Sequence, residues 1–129
     1  MGGGDTTYLM EQIKKTEFDK DLKEILKDKV YLGISAGSII MSKKIWASSE
    51  YIFKNSINKS PKGLGYLNIN FRPHYNSKYY PKVKKNIINK IINENNIKEK
   101  LYVMDDESGL KIVDGKIEVV TEGKWELFN

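Results

Sequence analysis

Apolar residues recur along this chain at two spacings, and the alternation between them predicts the order of elements. Tyr8, Leu9 and Ile13 fall at helical spacing, and Phe18, Leu22, Ile25 and Leu26 give a second short helix one apolar face. Thr16 with Asp19 three positions on reads as the capping pair that starts that second helix. The run Val30-Tyr31-Leu32 predicts a strand over 29–34, and a helix over 36–44 follows it directly. Residues 46–63 lack a period and end in Lys59-Ser60-Pro61-Lys62-Gly63, the composition of a loop with at most one short strand.

Leu67-Asn68-Ile69-Asn70-Phe71 alternates at period two and predicts a strand running into Arg72-Pro73-His74-Tyr75. Val83, Ile87, Ile88, Ile91 and Ile92 predict a long helix over 79–95, with Pro81 in its first turn. Leu101-Tyr102-Val103-Met104 is a further strand. The segments 110–113 and 116–120 flank Asp114-Gly115, a strong hairpin signal, and Trp125 and Leu127 mark a last short strand. Helices alternating with strands predict an α/β layered fold, with a mainly parallel sheet and an antiparallel hairpin near the C-terminus.

One junction in this pattern carries chemistry. The strand over 29–34 ends in Gly33-Ile34-Ser35-Ala36-Gly37, and a helix starts immediately behind it. That is the layout of a nucleophile elbow, in which a strand delivers a serine onto a sharp turn. The flanking glycines remove side chains that would collide in so tight a bend. The same pattern also serves as a plain strand-to-helix turn, so Ser35 needs partners before it counts as a nucleophile.

Composition narrows the field. A length of 129 residues suits one domain, and 40% hydrophobic with 30% charged residues is the balance of a globular chain, not a disordered one. No apolar run is long enough to span a bilayer and no signal-peptide pattern is present, so a cytoplasmic protein is expected. With no cysteine and one histidine, disulfides, a Cys nucleophile and a multi-histidine or thiolate zinc site are excluded, and no metal or cofactor is expected. The net charge of +5 comes almost wholly from lysine, Arg72 being the one arginine. Lysines interleaved with carboxylates, as in Lys20 with Glu24 and Glu94 with Lys98, describe a solvated surface. Neither a nucleic acid nor a membrane is expected as partner.

His74 is therefore the sole candidate base for Ser35. It follows a predicted strand, where loops at a sheet's carboxyl edge gather. A histidine base needs an acceptor to orient it. Glu50 is the one carboxylate between Ser35 and His74, and the cluster Asp105-Asp106-Glu107 sits directly behind the strand 101–104. Both sources stay open at this point. An oxyanion needs donors as well: the amide of Ala36 is one, and a backbone amide of Gly2-Gly3-Gly4, unencumbered by side chains, is a second.

Three stretches taken together resemble the peptidase E family, the aspartyl dipeptidase and cyanophycinase group of serine peptidases, family S51. They are Gly2-Gly3-Gly4-Asp5-Thr6-Thr7-Tyr8-Leu9-Met10, Gly33-Ile34-Ser35-Ala36-Gly37-Ser38, and Gly63-Leu64-Gly65-Tyr66-Leu67 leading to Arg72-Pro73-His74-Tyr75. The resemblance implies a partial class I glutamine-amidotransferase-like three-layer fold. It implies Ser35 as nucleophile, His74 as base and Asp106 as the orienting acid, with Glu107 one step away and Glu50 as the alternative. Gly3 or Gly4 would join Ala36 in the oxyanion hole. The implied substrate is a short peptide, with an N-terminal aspartate among the candidates, and Arg72 or a nearby lysine would hold that acid.

Two departures from the family pattern stand out. Asp5 occupies a position where the family usually carries Asn. The family also has two or three βα units ahead of its glycine motif, and none precedes Gly2 here. The single domain over 1–129 is therefore read as truncated at its N-terminus, with a bare edge on the elbow strand. A second copy of the chain or a complementing chain would cover it. The alternative to a peptidase is a catalytically inactive remnant, or a subunit that needs a partner chain to complete its fold.

Overall fold

The structure is a computed structural model that describes residues 1–129. The chain divides into two compact units, Met1–Asn70 and Phe71–Asn129.

The first unit is mostly helical. Helix α1 (Thr6–Lys15) starts where the Asp5 carboxylate accepts the amide of Tyr8 at 2.7 Å, a side-chain N-cap. Met10 and Ile13 on its inner face join Ile39, Ile40 and Ile45 in the core of this unit. Helix α2 (Phe18–Ile25) buries Leu22. Thr16 does not cap it: its hydroxyl donates back to Gln12 and Ile13 carbonyls, closing the end of α1, while Asp19 pairs with Lys14. The short connection lets the threonine turn backward, a choice that spacing alone does not reveal.

Residues 30–34 form no regular strand. Behind them α3 (Ala36–Ile39) is only one turn long, shorter than the helix expected over 36–44. The chain leaves it to make a parallel bridge between Ser42 and Leu67 and an antiparallel one between Lys44 and Lys62. The aperiodic stretch that follows holds α4 (Ser49–Ile52) and a 3₁₀ turn at Ile57–Lys59, not a strand.

Strand β1 (Asn70–Arg72) leads into the second unit, where the sheet order is β1-β2-β5. Strand β2 (Leu101–Met104) is buried along its whole length, so both faces are covered. It pairs antiparallel with β5 (Trp125–Phe128), Leu101 opposite Phe128 and Met104 opposite Trp125. The sheet is mixed rather than mainly parallel. Helix α5 (Lys85–Glu94) begins later than the 79 expected, because residues 76–83 first close a loop through the Asn76 amide and the Val83 carbonyl. Strands β3 (Ser108–Val113) and β4 (Lys116–Thr121) form the expected hairpin. Asp114 and Gly115, at φ 49° and 75°, supply the two left-handed residues of a type I′ turn.

Candidate active site

The first unit builds the elbow from backbone constraints. Ser35 adopts φ 53°, ψ −115°, a conformation rare for any residue with a side chain and costing on the order of 1–3 kcal/mol. The surrounding chain holds it there. The Gly37 amide donates to the carbonyls of Gly2 and Ile34, and the Ser38 hydroxyl donates to the Gly33 carbonyl at 2.8 Å. Tyr31 donates its phenol to the Gly37 carbonyl at 2.7 Å, and burial pushes its pKa up to about 12, so the donor stays protonated.

The two flanking glycines each meet a steric demand. A Cβ on Gly37 would collide with the Met1 carbonyl, and one on Gly33 would lie 2.8 Å from the Gly37 carbonyl oxygen. The glycine-rich start of the chain runs alongside the serine: a Cβ on Gly3 would stand 3.2 Å from Ser35 Cβ and 3.6 Å from its Oγ. Ala36 is the first residue of α3, so no carbonyl one turn earlier in the helix accepts its amide. The Gly3 backbone thus passes beside the Ser35 side chain.

Glu50, the alternative acid, also lies in this unit. One of its oxygens accepts the Thr6 amide at 3.3 Å at the start of α1, and the other is buried with no hydrogen-bond partner. The neighbouring Tyr51 hydroxyl lies 3.0 Å from that of Thr7. These contacts tie α4 to the N-terminus of α1.

The second unit holds His74 and Asp106, the base and orienting acid expected from the sequence. His74 has φ 68°, in the left-handed region, and its Nδ1 lies 2.7 Å from Asp106 Oδ1. A carboxylate only accepts, so Nδ1 carries the proton and Nε2 is the basic nitrogen of the neutral ring. The imidazole stacks on Tyr80, ring centres 4.2 Å apart and planes 7° from parallel. Sequence reasoning missed Tyr80; its only signal was an aromatic pair, Tyr79-Tyr80, ahead of Pro81 in a stretch read as helix. Arg72, considered as a substrate anchor, is 2% exposed, with its guanidinium 5.9 Å from the centre of the Tyr80 ring. That places it beneath the stacking ring and away from solvent.

Of the acidic cluster, only Asp106 faces the histidine. Asp105 turns the other way and accepts from the Ser108 hydroxyl and the amides of Glu107 and Lys124. Burial works to raise its pKa, but the Ser108 hydroxyl, these two amides and the Lys124 charge together outweigh it and hold the carboxyl below its usual range. Glu107 is exposed.

The chain is α/β, with a strained serine between two sterically required glycines in its first unit and a histidine–carboxylate pair in its second. Comparison with known proteins narrows this further. The sequence model of Peptidase family S51 matches residues 1–120, and the chain belongs to that family. An uncharacterized peptidase of Listeria monocytogenes is 32% identical over 123 residues, covering 93% of this chain and 57% of the relative. An uncharacterized peptidase of Listeria innocua is 32% identical over 126 residues, covering 88% and 58%. A crystal structure described as a peptidase E protein from Listeria monocytogenes superimposes with a TM-score of 0.69 at 27% identity, over 93% of this chain and 57% of that one. The chain therefore spans a little over half the length of the relatives it matches.

Proposed function

We propose that this chain carries the catalytic residues of a serine-type peptidase acting on short peptides through an acyl-enzyme. The observation that carries the reading is the backbone of Ser35, strained at φ 53° and held by the Gly33 and Gly37 contacts. A chain tolerates such strain where a side chain must be presented in one orientation.

In this reading Ser35 Oγ attacks the peptide carbonyl carbon and its proton passes to His74 Nε2. The tetrahedral oxyanion is met by the amides of Ala36 and of Gly3 or Gly4. Collapse breaks the C–N bond, and the imidazolium returns its proton to the leaving amine. A water molecule then repeats the sequence on the ester, releasing the acid and restoring Ser35. Asp106 keeps the imidazole in the required tautomer and steadies its positive form. The fold in this reading is of the glutamine-amidotransferase-like type, and peptides with an N-terminal aspartate are the first substrates to test.

The test is labelling by a fluorophosphonate probe. Wild-type protein is expected to label and Ser35→Ala to remain unlabelled, with matching circular dichroism for both. Equal labelling of both, or none in folded wild type under any assembly state, overturns the assignment.

A further inference from the structure

His74 and Asp106 sit on separate loops of the second unit, and Asp106 is the less sheltered, its side chain 63% exposed against 21% for the histidine. An exposed carboxylate has little packing of its own to fix its rotamer, so its aim depends on the backbone beneath it. One hydrogen bond brings the two loops together. The Tyr75 amide, one residue past His74, donates to the Met104 carbonyl at 2.9 Å, two residues ahead of Asp106. That contact sets how far apart the loops lie and leaves the direction of Asp106 open.

The direction comes from Asp105. Its amide donates to the Lys124 carbonyl at 3.0 Å and its Oδ2 accepts the Lys124 amide, a clamp through backbone and side chain together. Its Oδ1 accepts the Glu107 amide at 3.1 Å and the Ser108 hydroxyl at 2.6 Å. Folding the Glu107 amide back onto Asp105 makes the chain turn, with Asp106 at the apex. Glu107 is committed to the other side, its carbonyl accepting the Glu122 amide at 3.2 Å. The Ser108 hydrogen is spent on the carboxylate, so the Thr121 hydroxyl, 2.6 Å away, donates to Ser108. The Gly123 amide donates in turn to Thr121 at 2.9 Å. The chain passes so close here that a Cβ on Gly123 would collide with the Asp105 carboxylate.

We propose that Asp105 is a positioning residue for the reaction proposed above: its carboxylate staples residues 105–108 to residues 121–124, so that Asp106 rather than Glu107 meets His74 Nδ1. It acts through Asp106 and not on the imidazole itself. The consequence for rate rests on the peptidase reading, whereas the consequence for the imidazole does not.

The test uses the fact that His74 is the single histidine, so the nitrogen NMR shifts of one imidazole report which ring nitrogen holds the proton. At a pH where the ring is neutral, wild type is expected to hold it on Nδ1. Asp105→Asn leaves one acceptor oxygen, which can serve Lys124 or the Glu107 and Ser108 donors but not both. The ratio of Nδ1–H to Nε2–H tautomer is expected to fall at least roughly threefold in this variant. On a chromogenic dipeptide its kcat is expected to fall about tenfold to hundredfold, with KM within about twofold of wild type. Ser108→Ala removes one donor and is expected to shift the tautomer ratio the same way by a smaller factor. Ile88→Val, a methyl group lost from the buried face of α5, is expected to lower the melting temperature and leave the tautomer as in wild type.

A wild-type tautomer in folded Asp105→Asn overturns the proposal, as it does in Ser108→Ala where Asp105→Asn does not fold. An equal shift in Ile88→Val also overturns it, because the effect would then be a general loosening of the unit. A tautomer that responds as expected, in protein that never labels with a fluorophosphonate, upholds the positioning role and removes the peptidase reading instead.

Discussion

Asp106 Oδ1 lies 2.7 Å from His74 Nδ1, although 32 positions separate the two residues in the chain. The pairing sets the tautomer, and with it which nitrogen can act as a base. Asp106→Asn replaces one acceptor oxygen with an N–H donor and favours the wrong tautomer. The expected loss in kcat/KM on a chromogenic dipeptide is about 10²–10⁴-fold. Glu50→Gln is expected to stay within a few-fold of wild type in the same assay. The reverse ranking would make Glu50 the orienting acid.

The stacking partner of His74 predicts a milder effect. Tyr80→Ala removes a ring that lies 4.2 Å from the imidazole centre. A stacked pair is worth about 0.5–1.5 kcal/mol, so the acylation rate is expected to fall roughly threefold to tenfold. Tyr80→Phe keeps the ring and is expected to restore the rate. Rates of probe labelling for the two variants decide this, and loss in both would point to the hydroxyl instead.

The elbow's glycines predict a stability effect with its own control. A Cβ on Gly37 meets the Met1 carbonyl, and backbone cannot swing aside as a side chain tip can. Gly37→Ala is expected to cost about 1–3 kcal/mol in urea unfolding. Gly109→Ala places its Cβ in open space and is expected to be neutral or slightly stabilising.

Asp105 predicts the acid limb of the stability curve. Its carboxyl titrates below its ordinary value when folded, so the folded state binds fewer protons there than the unfolded state. The stabilisation is complete above the unfolded pKa, near pH 4, and disappears as pH falls through the lower folded value. Wild-type stability is expected to fall on acidification below about pH 4. Asp105→Asn is expected to be less stable at neutral pH and to show a flatter acid limb by thermal melts across pH 2–7.

The sequence by itself determined what depends on near neighbours. The turn at Asp114-Gly115 follows from two residues that tolerate positive φ, and the elbow follows from glycines two positions either side of Ser35. The inner face of α5 follows from spacing, through Ile88 and Ile92, whereas on α1 only Ile13 of the expected Tyr8, Leu9 and Ile13 is buried, with Met10 beside it and Tyr8 exposed. These features are local, so their energetics are written within a few residues. Tertiary structure alone decided the rest. Asp105, Asp106 and Glu107 are adjacent and chemically alike, and only the path of the chain after β2 turns Asp106 toward the histidine. The late start of α5 follows from a loop closed between Asn76 and Val83, which sets Tyr80 against His74 rather than on a helix. Thr16 capped the helix before it because a hydroxyl can reach either way, and packing chose the direction.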